Sequence, residues 1–497
     1  MLLLLASSAC RDPAPTDGPS ATGAPSARLT RLEIGVPLGP TFDPDRGTYA
    51  VRASDLPDPI PLIAEPEDPA ATVTVQLETV DGEVESGALR PLPDHRVRVT
   101  VTDGERVGRY VVGLLPDDFP DLHTEGDTGS NRWVMLANFD FTNQPPDVSR
   151  ALLVVDGAGT PGWWRRTDTP SFDLRATRDG RLSWNGTGGP AGLEGFVVGP
   201  GHAEETRGPV ALPGFDVLGD PHEFDVLDDG GALLIVGAMR DEDLTAWGGP
   251  GSMPVLHQAV EQLDPDGNLV FWWTTAGLLD YAELPDAVLR QMTAASQFEP
   301  YHLNSVEIDP DDGQWLISTR LSSQVLKVAR EDGTFDGRSV SAGEVVWRLG
   351  GPNSDFVFVG DDRNQGWQGF SEQHCARSVG AHRIMVFDNG TSADLGAVGT
   401  ARMATYELDT TTWTATLVDS HVLDGGGPTP AGGSVQRLPD GHTLIGWGSL
   451  QEANGAKAPS VTEIDADGRE IWRLVLPDNQ WTYRAFAAEG DPVDGLW

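Results

Sequence analysis

Residues 225–237 read DVLDDGGALLIVG, and the same phrase returns as EIDPDDGQWLIST at 307–319, SVGAHRIMVFDNG at 378–390 and QRLPDGHTLIGWG at 436–448. Each copy sets apolar runs around a turn, in three of the four copies an Asp-Gly turn, which is β-hairpin chemistry. A second hairpin follows each one: EQLDPDGNLVFWW at 261–273, VLKVAREDGTF with GEVVWRLGG within 325–351, ATYELDTTTWTATLV at 404–418 and TEIDADGREIWRL at 462–474. Four units of about four strands are therefore clear. Upstream, RWVMLANFDF with ALLVVDGAGTPGWWRR, then DLRATRDGRLSWNG with GFVVG, read as two degenerate copies. Repeated four-stranded sheets bury their faces only against one another, so the pattern predicts a six-bladed β-propeller over 131–497. One insertion, 278–298, instead spaces Leu284, Val288, Leu289 and Met292 as a helix does, and is expected to be a lid or a blade connector.

Working outward toward the N-terminus, residues 27–117 alternate at period two through ARLTRLEIG, FDPDRGTYAVRA, ATVTVQLETV, HRVRVTVTDG and RYVVGLL. Short alternating runs with no helical stretch predict a small antiparallel sandwich. LTRLEIG, FDPDRGTYAV and VTVTDGERVGRYVVGL resemble the cadherin-like β-sandwich of bacterial surface proteins, which implies a spacing or docking role. Its Asp turns are read as hairpin chemistry, with calcium left open. Residues 118–130 are expected to be a linker. The opening MLLLLASSAC resembles the end of a bacterial lipoprotein signal, which implies lipidation at Cys10, and residues 11–26 read as a tether. The expected location is therefore extracytoplasmic, as a membrane-anchored lipoprotein in the periplasm or at the cell surface.

Composition fits this all-β reading. The 497 residues include 59 Gly and 38 Pro, and 39% are hydrophobic, enough for a packed core and too apolar for disorder. The 75 acidic residues against 34 basic ones give a net charge of −41, which makes nucleic acid a poor partner. With Cys10 lipidated, Cys375 has no disulfide partner.

Histidine recurs at one phase of the repeat: His222 in GDPHEFDVLDDG, His302 in YHLNSVEID and His374 in FSEQHCARSVG, each just before an inner strand. Three successive blades would thus aim an imidazole at one pocket on the central channel. Asn304 shares a strand side with His302, and Arg320 closes the ISTR strand of the same unit. HLNSVEI, LISTRLSSQVLKV, VVWRLGGPNSDF, QHCAR with IMVFDNG, and GGSVQRLPDGHTLIGWG resemble, in this order, the bacterial arylsulfate sulfotransferases. That resemblance implies a six-bladed propeller, often preceded by a small β-sandwich, working outside the cytoplasm. It implies a nucleophile at His374, sulfuryl binding by His302, Asn304 and Arg320, and a further pocket histidine at His222. Tyr483 and Arg484, in WTYRAF, are candidates for lining the pocket, with strand-end packing as the alternative.

The chemistry accounts for these residue types. A sulfuryl group is anionic, so a neutral imidazole attacks it without repulsion, and a hydrogen bond on the other ring nitrogen fixes the tautomer. Arg320 and Asn304 can hold its oxygens. The leaving phenol, of pKa about 10, benefits from an acid, which His222 or His302 can supply. The result is ping-pong transfer from aryl sulfates to phenols without a cofactor or a metal. No GxxxxGK loop serves a nucleotide donor, and Val379 and Ala14 stand where the arginine of a formylglycine sulfatase motif would follow Cys375 or Cys10. HExxH and GxSxG are absent as well. Arg320, Arg348 and Arg377 are expected to make the pocket locally basic. The alternative is a non-catalytic propeller lipoprotein that binds a ligand or a surface; a homodimer is left open.

Overall fold

The computed structural model describes residues 26–128, 132–140, 147–188, 192–277, 280–364, 366–490 and 492. Residues 1–25, with Cys10 and nearly all of the expected tether, lie outside the described residues. From residue 132 onward the chain forms six sheets of four or five strands. Reading outward from the innermost strand, the second holds Phe172–Ala176, Leu182–Thr187, Leu193–Val198 and Glu204–Arg207. The third holds Asp216–Val226, Ala232–Glu242, Met253–Leu263 and Leu269–Thr274; the fourth, Leu303–Ile308, Trp315–Thr319, Gln324–Val328 and Val345–Leu349. His374–Ser378, Arg383–Asp388, Arg402–Asp409 and Thr414–Val422 make the fifth, with Val357–Val359 added in parallel. Ser434–Arg437, Thr443–Gly446, Val461–Ile464 and Glu470–Val475 make the sixth.

The first sheet joins the two ends of this region: Arg132–Phe139, Ala151–Asp156 and Pro161–Arg166 take Trp481–Glu489 as their innermost strand. This long-range pairing has no local sequence signal. Nor does His123–Gly126, a four-residue strand within the expected linker, which pairs with Glu470–Val475 at the edge of the sixth sheet.

Both faces of each sheet are buried, so the period-two pattern serves two neighbours at once. Leu233 and Ile235 pack against the fourth sheet with Val306, Trp315 and Ile317, whereas Leu234 and Val236 pack against the second with Val197. Apolar clusters likewise join the first sheet to the second, the fourth to the fifth and the fifth to the sixth. A further cluster, including Leu444, Trp472, Val134 and Leu153, joins the sixth sheet back to the first.

The N-terminal region has a separate core, with Leu29, Tyr49, Val97, Val99, Val101, Tyr110 and Val112 fully or almost fully buried. Its main sheet runs Thr48–Arg52, Arg106–Leu115, His95–Asp103 and Thr72–Thr79, faced by the pair Leu29–Glu33 and Ile63–Pro66. The expectation of an all-antiparallel sandwich is corrected at one place: Thr48–Arg52 pairs with Arg106–Leu115 in parallel. Three intervening strands, Ile63–Pro66, Thr72–Thr79 and His95–Asp103, supply the long crossover that such a pair needs. This region docks on the first sheet, where the Trp164 indole N–H donates to Asp94 at 3.0 Å and Gly113 leaves room for the ring.

The insertion contains the helix Asp286–Ala294, which buries Val288 and Met292 against Met253, Val255 and Tyr281. Leu284 is buried just ahead of it. The Asp394 carboxylate accepts from the first backbone N–H groups of the helix, those of Asp286 and Ala287, at 3.1 and 2.6 Å. The insertion is thus a connector between sheets three and four, and no described helix is long and apolar enough to cross a membrane.

Candidate active site

Five of the six innermost strands break register at their leading ends: between Phe172 and Arg175, Gly219 and Phe224, Leu303 and Ser305, His374 and Arg377, and Thr482 and Ala485. A bulge re-aims the side chains around it. Here each interrupted strand brings a polar or aromatic group to the same end of the sheets. His302 and Cys375 adopt left-handed backbone, with φ of 55° and 50°, a conformation uncommon outside glycine.

The structure brings His222, His302, His374 and Tyr483 together. The rings of His222 and His302 lie 4.6 Å apart at 81°, and Tyr483 stands between His222 (5.7 Å) and His374 (6.1 Å). The Tyr483 hydroxyl is buried and has no hydrogen-bond partner among the described residues. Burial raises its pKa well above the usual phenol value, so it is neutral.

His374 is 2% exposed, and its tautomer follows from its neighbours. Asn389 spends its amide protons on the carbonyls of Thr429 (3.1 Å) and Gly432 (3.0 Å), which turns its Oδ1 toward His374 Nδ1 at 2.8 Å. An acceptor at that nitrogen requires Nδ1–H, leaving the lone pair on Nε2. Burial first, and then the Arg320 charge, hold the imidazole well below its ordinary pKa. His374 is therefore neutral at pH 7, with its lone pair on Nε2. The Gly432 N–H approaches Nε2 at 3.4 Å, a donor beside any group that Nε2 carries.

Arg320 begins the turn after Trp315–Thr319, and its backbone N–H donates to the His302 carbonyl at 2.9 Å. One edge of its guanidinium is held by Glu372 (3.0 Å) and the Pro430 carbonyl (3.1 Å), while its buried Nε has no partner. Asn304, fully buried, uses one Nδ2 proton on the Gln373 carbonyl at 2.7 Å, leaving the other amide proton and Oδ1 unpaired. Arg320 Nε–H and the spare Asn304 amide proton are donors of the kind an anionic oxygen needs. His222 and His302 each hold a carboxylate on Nδ1, Asp220 at 2.6 Å and Glu299 at 2.8 Å.

Arg484 is the member of the predicted set that the structure moves elsewhere. It lies beneath the histidines, its two terminal nitrogens donating to Asp173 (2.7 Å), Glu223 (3.1 Å) and the Asn304 carbonyl. Its guanidinium also stacks behind Tyr483, 5.2 Å from the ring centre, so it acts on the site as packing. Arg377 belongs to the same buried layer, paired with Glu223 at 2.9 Å, and Arg348 lies on the outermost strand of the fourth sheet. The expected basic trio is thus reduced to Arg320, because the axis neutralises its arginines with Asp173 and Glu223. Cys375 is buried, its Sγ 3.8 Å from the Val435 carbonyl, a packing position.

Sequence reasoning missed Asn389, Gly432, Asp220 and Glu299. Asn389 lies inside the quoted IMVFDNG and Asp220 inside GDPHEF, but neither type announces a pairing with a distant or bulged histidine. One metal-type trio occurs among the described residues, Asp440, His442 and Glu463. The Arg132 guanidinium pairs with both of its carboxylates.

The described residues thus gather three imidazoles, two of them buried and His302 partly exposed, with an arginine and two carboxamides at one end of the sheets. The chain belongs to the arylsulfotransferase (ASST) family, whose model matches residues 205–476, more than half of its length. That membership supports a sulfotransferase enzyme. No curated protein sequence matches the chain. Among solved structures, a 6-phosphogluconolactonase-type protein from Bacteroides fragilis is 12% identical, over 73% of this chain and 99% of its own, with a TM-score of 0.36. The periplasmic gluconolactonase of Pseudomonas aeruginosa is 14% identical, over 73% and 100%, with a TM-score of 0.35. Likeness at that level transfers no activity.

Proposed function

We propose that this protein is a nucleotide-independent aryl-sulfate sulfotransferase that moves the sulfuryl group from an aryl sulfate to a phenol through sulfated His374. The observation that carries the reading is the Asn389–His374 pair, which leaves a buried neutral imidazole with its lone pair on Nε2. Nε2 attacks sulfur in line, the S–O bond to the phenol breaks, and its electron pair leaves on the phenolate oxygen. Arg320 Nε, the second amide proton of Asn304 and the Gly432 N–H support the three sulfuryl oxygens during transfer. The acceptor phenol then attacks the same sulfur, returning the electron pair to His374. The four aromatic side chains of the pocket suit a flat aryl ring better than an aliphatic alcohol.

The six sheets, each packed on the next and the sixth on the first, are read as the blades of a six-bladed β-propeller closed by Trp481–Glu489. The N-terminal region is read as a cadherin-like spacer, and Cys10 as a lipid anchor that holds the enzyme outside the cytoplasm. Metabolic labelling with a fatty-acid probe, in wild type and Cys10→Ala, tests the anchor.

The transfer reading is tested with 4-nitrophenyl sulfate, with and without phenol. Nitrophenol release that depends on acceptor and is lost in His374→Ala is the expected result. Equal, negligible release from both proteins across several aryl sulfates would remove the reading.

A further inference from the structure

His222 and His302 form a matched pair that simple anion binding does not require. Each donates from Nδ1 to a carboxylate, and neither Nε2 has a protein partner among the described residues. The two carboxylates come from different places. Asp220 lies in the bulge of the third sheet, where it also accepts the His222 backbone N–H at 2.9 Å. Glu299 stands at the end of the helical insertion, three residues before His302. Gln258 ties the two halves together, since its Oε1 accepts the Leu303 N–H at 2.7 Å and its Nε2 reaches Asp220 Oδ2 at 3.4 Å.

We infer that Asp220 and Glu299 are positioning residues of the transfer reaction, pinning Nδ1–H of His222 and His302 so that their free Nε2 atoms exchange the phenolic proton. The inference rests on the sulfuryl-transfer reading and adds its proton path. A carboxylate has only lone pairs to offer, so each Nδ1 must bear hydrogen, and each Nε2 is left as a base when neutral or an acid when charged. Burial pushes both carboxyls up, but contact with the histidines outweighs it, and both end below the usual carboxylate range. The charges facing the pair are Asp220, Glu299 and Arg320, with Glu372 behind Arg320 and the neutral Tyr483 and His374 alongside. Two imidazolium rings 4.6 Å apart beside an arginine would repel each other, and burial holds His302 below the ordinary imidazole pKa, so the pair carries at most one proton beyond its two Nδ1–H.

The proton balance closes without a co-reactant. In the first half-reaction the leaving phenolate takes the Nε2 proton of the charged histidine as the N–S bond to His374 forms. In the second, the acceptor phenol returns a proton to that neutral Nε2 as its oxygen bonds to sulfur and the N–S bond breaks.

The test uses the full chain, Asp220→Asn and Glu299→Gln, and two donors, phenyl sulfate and 4-nitrophenyl sulfate. Nitrophenolate is a weak base that leaves without a proton, whereas phenolate needs one. In single-turnover release with no acceptor present, each variant is expected to lose about 10²–10⁴-fold on phenyl sulfate while nitrophenolate release from 4-nitrophenyl sulfate changes little. Nuclear magnetic resonance of the unreacted protein supplies a readout independent of turnover. It should find both wild-type rings protonated at Nδ1, and His302 titrating at lower pH in Glu299→Gln. Equal losses on both donors, or wild-type rings protonated only at Nε2, would overturn the inference. A wild type that transfers from neither donor defeats the transfer reading and the inference with it, and the spectra separate that failure from a fault in positioning alone.

Discussion

Replacing Asn389 with alanine removes the one acceptor of His374 Nδ1–H, in a site where both residues are essentially sealed from solvent. The variant must either leave Nδ1–H buried and unpaired or move the proton to Nε2, where it blocks the lone pair that attacks sulfur. A buried donor without a partner costs about 1–3 kcal/mol. If the reactive tautomer lies higher by that amount, the rate of sulfuryl uptake falls roughly 5- to 150-fold. Aspartate is no substitute, because the Asn389 amide also donates to the Thr429 and Gly432 carbonyls, which a carboxylate would repel. The assay is single-turnover nitrophenolate release from 4-nitrophenyl sulfate, with thermal unfolding measured alongside. Wild-type burst rate and amplitude in a folded Asn389→Ala protein would refute the tautomer argument.

Three further outcomes follow from the same geometry. Because burial and Arg320 hold His374 well below the ordinary imidazole pKa, the acid limb of kcat/KM for 4-nitrophenyl sulfate should lie below about pH 6.5; a limb centred at the ordinary value would contradict the burial argument. Glu223 compensates Arg175, Arg377 and Arg484, and despite burial its carboxyl is held far below the usual range. Its stabilisation is therefore complete above the unfolded glutamate pKa of about 4.3 and is lost as the pH falls below it. Glu223→Ala should cost about 3–5 kcal/mol in denaturant unfolding at neutral pH, and an unchanged midpoint would show that the axial layer carries no stability. Gly433 has a φ of 113°, and an added Cβ would stand 2.1 Å from the Phe387 ring; Gly433→Ala should shift the 429–433 segment and depress transfer, and full activity would show that this loop does not set the Gly432 donor.

Much of this architecture was legible because it is local. Asp-Gly turns between apolar runs mark hairpins one at a time, and their recurrence from 225 to 474 marks the sheets there without reference to space. The spacing of Leu284, Val288 and Met292 likewise marked the apolar side of the helix Asp286–Ala294, although Leu284 falls just before its first turn. His222, His302 and His374 were visible because they recur at one phase of the repeat. What escaped was set by contacts between distant segments. Trp481–Glu489 joins the first sheet across more than 300 residues, and no periodicity foretells a partner that far away. The bulges that turn the inner strands toward one point are also silent, since Cys375 in left-handed backbone follows from packing, not from its residue type. Arg484 takes the packing alternative that its place in WTYRAF left open. It sits next to Tyr483 in sequence, yet the adjacent side chain of a strand faces another layer, where Asp173 and Glu223 claim it.

The most direct measurement withholds the acceptor. Wild-type protein mixed with excess 4-nitrophenyl sulfate, digested under conditions that preserve phosphoramidate-like N–S bonds, and mapped by mass spectrometry should carry one sulfuryl group on His374 and lose it when phenol is added. A modified His222, His302 or Tyr483 with His374 bare, or turnover with no covalent species at all, would contradict the account.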